Sequence, residues 1–133
     1  MKSENWTDLD DGKMNPNEYY SELITEFPIL KNEIESEEPE MVHFRMEIFS
    51  DYNIEQIKTK NQSELKRCFE FQESRIEKLN SELINALNVS YCESLLLGEC
   101  ANEMTEVKEF MTPKLKEVYA EYEKYYAKLI KNE

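Results

Sequence analysis

The residues of this chain that could do chemistry are few, and their spacing matches no complete site. Glu40-Met41-Val42-His43 has the Glu-x-x-His spacing that, on a helix, sets a carboxylate and an imidazole on one face, as in di-iron bundles. Such a centre needs two of these pairs and further inward carboxylates. The chain holds 1 histidine, so one copy does not build it, and His43 reads as a half-exposed helix histidine. Asp8-Leu9-Asp10-Asp11-Gly12 has the look of a calcium loop. With Gly12 at the turn position, Glu18 falls where the closing glutamate belongs, but Thr7 and Leu9 then occupy positions that need carboxylates. A cysteine nucleophile needs a base held beside the thiol, and nothing in the sequence places His43 near Cys68, Cys92 or Cys100. These cysteines show no Cys-x-x-Cys pairing, and Cys68 and Cys92 fall in apolar stripes, where free cysteine acts as a small hydrophobe. With 2 glycines there is no phosphate-cradling loop, and among 29 acidic side chains no carboxylate pair stands out. The expectation is a protein without catalytic residues, metal or cofactor, and not an enzyme.

The charge is more telling. Against 29 Asp and Glu stand 16 Lys and Arg, a formal net charge of −13. Binding to phosphates needs a basic face, so nucleic acid is excluded as a partner, and an anionic membrane surface repels the chain. A basic protein would be attracted at long range. The densest acidic run is Glu33, Glu35, Glu37, Glu38 and Glu40, the candidate partner-binding residues. The alternative is that they support a helix start at Pro39 through its dipole and keep the chain soluble.

These residues must be carried by helices. Sheets and hairpins use turn glycines that this chain lacks. Residues 1–14 read as a flexible acidic arm, with Trp6 as its anchor, and 15–133 as a single all-helical domain. Asn15-Pro16 has the form of a helix cap followed by proline in the first turn, with Tyr19, Tyr20, Leu23, Ile24 and Phe27 following at helical spacing. Pro28 breaks it. Pro39 opens a helix through Tyr52, Asn53 to Lys60 forms a separate short piece, and Ser63 caps a helix running to Leu79. Ser81 to Gly98, SELINALNVSYCESLLLG, differs from the rest because apolar side chains crowd nearly its whole circumference, which marks a helix wrapped by others. Gly98 ends it. Thr112-Pro113 starts the last helix, where Leu115, Tyr119, Tyr122, Tyr126 and Leu129 repeat at spacings of three and four. That seam is too short for a coiled coil and is expected to pack on its own chain. Self-association through Tyr119, Tyr122 and Tyr126 is the alternative. The expected fold is all-α: an irregular helical bundle, or a HEAT-like right-handed stack, of about seven to eight short helices around a central helix at about 81–97.

Asn85-Ala86-Leu87-Asn88-Val89-Ser90-Tyr91-Cys92-Glu93 resembles the core pattern of a family of small bacterial helical domains of unknown function. Met46-x-x-Phe49-x-x-Tyr52 and Met111-Thr112-Pro113-Lys114-Leu115 fit the same pattern, and the resemblance spans Tyr19 to Tyr126. Cys92 stands where the family pattern has leucine. The resemblance extends to domains found near polymorphic-toxin immunity genes, and implies an immunity or other protein-binding role. No functional residues carry over from it. The N-terminus has no apolar stretch of the signal-peptide type and no run approaches a membrane span, so a cytoplasmic location is expected. The expected function is a non-enzymatic protein-binding domain, in its sharpest form an immunity protein that neutralises a basic toxin domain. The alternative is a structural or regulatory module that self-associates, and both monomer and homodimer fit.

Overall fold

The helix starts follow local chemistry. In the computed structural model, which describes residues 12–131, α1 (Pro16–Glu26) begins with a full capping box: Asn15 Oδ1 accepts from Glu18 N at 2.9 Å and Glu18 Oε1 from Asn15 N at 3.0 Å. Glu18 is thereby a cap residue. The remainder of the calcium-like motif, Asp8 to Asp11, lies outside the described residues, as does Trp6. The end of the arm is drawn into the domain: Met14 N donates to Lys78 O and Asn80 N donates to Met14 O at 3.0 Å. A single 3₁₀ turn (Pro28–Leu30) and α2 (Lys31–Glu35) follow.

Four expected boundaries change. α3 starts at Val42, not Pro39, and runs unbroken to Lys58. The expected break at Asn53 is absent because its side chain is satisfied inside, donating to Phe49 O at 2.7 Å and accepting from Tyr91 Oη at 2.6 Å. α4 (Gln62–Glu73) is capped by Asn61, which accepts from Glu64 N at 3.3 Å and takes the Ser63 hydroxyl as a second donor. It stops at Glu73, and a separate 3₁₀ turn (Ile76–Lys78) carries the chain to Leu79.

The central segment is α5 (Ser81–Ala86), a π-helical turn (Leu87–Cys92) and α6 (Glu93–Leu97). α6 ends at Gly98, whose φ of −81° lies outside the left-handed region expected of a glycine stop; the position has room only for glycine, because a Cβ there would collide with the Ser94 carbonyl oxygen, which accepts from Gly98 N at 2.9 Å. Short turns around α7 (Met104–Val107) lead to α8 (Pro113–Lys131). The first free N–H groups of α8 are satisfied from another helix. Glu73 accepts from Lys114 N at 2.9 Å and from Leu115 N at 3.1 Å.

The result is an all-α irregular bundle. Tyr19, Leu23, Met46, Phe49, Phe69, Leu83, Tyr91, Leu95, Leu115 and Tyr119 are buried in one core. Phe49 sits at its hub, with ring centroids 5.4 Å from Phe27 and 5.8 Å from both Phe71 and Tyr91. Buried polar atoms pair across helices: Tyr19 donates to Gln72 Oε1 at 2.7 Å and Tyr20 to Val42 O at 2.6 Å. Tyr119 Oη is buried without a hydrogen-bond partner among the described residues.

The central segment is less enclosed than its composition implies. Leu83, Ala86, Leu87, Tyr91, Cys92 and Leu95 are buried, but Ile84, Val89 and Leu97 are 44%, 39% and 46% exposed. The packed helices cover one side, and a stripe of apolar surface faces outward.

Candidate functional site

The acidic run forms the connection from α2 into α3. Glu35 pairs with Lys31 at 2.9 Å. Glu37 contributes its backbone, since its carbonyl accepts from Arg45 Nη2 at 2.7 Å and Nε at 3.2 Å. Arg45 is only 8% exposed and stands 5.7 Å over the Tyr20 ring, so the clamp is anchored in the core. Glu33, Glu38 and Glu40 are exposed and make no ion pair among the described residues. Asp51 of α3 adds to this surface: burial pushes its carboxyl up, and the charges of Glu33 and Glu99 push it further. Carboxylates from separate elements therefore share one field.

Glu40 does not share a helix with His43, so the Glu-x-x-His face does not form. Glu40 instead lines a shallow depression with Pro39, Val42 and Glu82, the last from α5. His43 turns to the central segment. Its Nδ1 lies 2.7 Å from Ser90 Oγ and its Nε2 3.4 Å from Asn85 Nδ2. Residues five apart stand about 140° apart round an α-helix and would not meet at one imidazole. Where hydrogen bonds close at i to i+5, they come nearly into line. The π-helical turn is thus what brings Asn85 and Ser90 to His43, and it joins α3 to the central segment there.

Beyond Asn85 the same surface opens into a cleft of about 350 Å³ between the π turn and α8, lined by Asn85, Asn88, Val89, Glu121, Tyr122 and Tyr125. Tyr122 closes its edge by donating to Glu93 Oε1 at 2.5 Å. Of the seam tyrosines, Tyr119 and Tyr122 are buried within the chain and Tyr126 packs half-buried against the core. Tyr125, outside the seam, is 56% exposed. Asn85, Asn88, Ser90 and Glu93 belong to the pattern that carries the family resemblance, which assigned them no functional role, and Arg45 and Tyr125 stand in no motif. The available signal was the presence of polar residues in an otherwise apolar helix.

The three thiols are enclosed. Cys68, Cys92 and Cys100 are free and buried, and burial pushes the Cys92 thiol up to about 12 and raises the other two. Among the described residues, no group of three or more His, Cys, Asp or Glu is gathered to hold a metal ion, and no helix is long and apolar enough to cross a membrane.

Fold and surface together define a small all-helical bundle domain with an acidic, partly apolar face. The chain belongs to the family described as a domain of unknown function, DUF7674, whose model matches residues 20–127. No curated protein and no solved structure matches the chain.

Proposed function

We propose that this domain is a non-enzymatic, cytoplasmic protein-binding module that receives a basic partner, and that its specific form is a bacterial immunity protein which blocks a toxin domain. The observation that carries the reading is the clamped acidic connection. Arg45 holds the backbone at Glu37 in place, while Glu33, Glu38 and Glu40 project with no ion pair among the described residues. A backbone held in position loses little entropy on meeting a partner, and the charges it carries steer the approach. A toxin domain that acts on nucleic acid needs a basic active site, which such a face can occlude. The burial of Tyr119 and Tyr122 leaves less of α8 for a self-association seam and favours this reading over the dimer.

The test is genetic and electrostatic together. The neighbouring reading frame is expressed in bacteria with and without this chain. Rescue of growth by the wild-type chain, weakened when Glu33, Glu38 and Glu40 are all replaced by glutamine, supports the proposal. A toxic neighbour left unneutralised overturns the immunity form. Equal rescue by the triple variant, with equal association rates at low salt, overturns the acidic surface as the binding face.

A further inference from the structure

We infer that the cleft between the π turn and α8 is an anchor pocket for one apolar side chain, aromatic by preference, from a peptide segment flanked by lysine or arginine. The inference rests on the reading that the partner is basic and names where and how that partner is gripped. The cleft walls are the Val89 side chain and the Tyr122 and Tyr125 rings, whose centroids lie 5.7 Å apart. Ile84, one helical turn before Asn88, and Leu129, one turn after Tyr125, extend the apolar edges on both helices, and each is about half exposed. Asn85 and Asn88 supply carboxamides that can both donate to and accept from a peptide backbone. The volume of about 350 Å³ lies within the range of ligand-binding clefts.

Charge selects the occupant. A second copy would bring another −13 and set carboxylates against carboxylates. Glu121 lines the cleft, and Glu93 at its edge receives only the Tyr122 hydroxyl among the described residues. Both favour a cation beside the anchor. The surface also continues in the right direction. Asn85 reaches His43, and Glu82 shares a depression with Glu40. A segment anchored at Val89 and Tyr125 can thus carry its cations toward the acidic run. Central aromatic anchors dominate interface energetics, while flanking charges set approach and register.

The experiment titrates the full-length ¹⁵N-labelled chain with two synthetic peptides, Lys-Lys-Trp-Lys-Lys and Lys-Lys-Gly-Lys-Lys. The tryptophan peptide is expected to shift the amides of Asn85, Asn88, Val89 and Tyr125 and to bind about tenfold more tightly than the glycine peptide. The glycine peptide should shift only the acidic run, and added salt should weaken both. Tyr125→Ala should reduce the tryptophan peptide to the affinity of the glycine peptide while leaving the melting temperature in place, since the ring is largely exposed. Equal affinities and equal shift maps for the two peptides overturn the anchor pocket and leave the acidic reading standing. Shifts at the cleft with none at the acidic run keep the pocket and overturn the charge-led reading. No shift at either place overturns both.

Discussion

Two buried tyrosines on facing helices should respond in opposite ways to the loss of one oxygen atom. Tyr91 and Tyr119 are both fully enclosed. The Tyr91 hydroxyl donates at 2.6 Å to Asn53 Oδ1, and Asn53 is 0% exposed, so no bulk water can replace the lost donor. Tyr91→Phe leaves that oxygen unsatisfied, at a cost of about 1–3 kcal/mol. For a domain of this size the melting temperature should fall by roughly 4–12 °C, taking about 4 °C per kcal/mol. The Tyr119 hydroxyl has no partner to lose among the described residues. Tyr119→Phe removes a desolvated polar group and should leave stability unchanged or raise it by up to about 1 kcal/mol. Urea unfolding followed by far-ultraviolet circular dichroism reads both, and unchanged m-values would confirm that the same surface is exposed on unfolding. Adding Asn53→Leu to Tyr91→Phe removes both polar partners and should recover part of the loss. The reasoning is refuted if Tyr119→Phe costs as much as Tyr91→Phe, or if Tyr91→Phe costs nothing.

Glu73 should stabilise the fold in a pH-dependent way. Burial raises its carboxyl, but the Thr112 hydroxyl and the Leu115 and Lys114 N–H groups together hold it below its ordinary value. A lowered folded value means stability present above the unfolded value of about 4.3 and lost as pH falls through the folded one. Glu73→Gln should therefore cost about 0.5–2 kcal/mol at neutral pH, with the gap to wild type narrowing in acid; a gap independent of pH would count against the cap. Asp51 carries the opposite sign, because burial and its acidic neighbours raise it. Its unfavourable contribution grows as pH rises from the unfolded value of about 3.9 through the folded one. Asp51→Asn should then melt above wild type at neutral pH and coincide with it in acid, and a lower melting temperature at neutral pH would refute this. Gly98→Ala forces a methyl against the Ser94 carbonyl and should cost about 1–3 kcal/mol in urea unfolding; a neutral effect would show that the chain after α6 shifts freely.

Local chemistry alone decided the ends of several helices. Asn15-Pro16 marks the start of α1 through its capping box, and Pro113 marks the first turn of α8 through its missing N–H, because both act within a few residues. Spacing likewise identified part of the core: Leu115, Tyr119 and Tyr122 are buried as their periodicity implies, since a stripe that excludes water on one helix must be covered by something. What covers it is a tertiary matter. Composition could not reveal that the central segment is wrapped on one side only, because the exposure of Ile84, Val89 and Leu97 depends on which helices pass and at what angle. Asn53 reads from the sequence as the start of a separate short piece, yet inside α3 it is held by Tyr91, which is 38 residues away. The same holds for Glu73, whose partners at the start of α8 are supplied by folding, and for His43. Its company was invisible in a pattern that assumes 3.6 residues per turn. Only the widened π turn, packed on α3 and α8, brings Asn85 and Ser90 to one ring, and the cleft lies beside them.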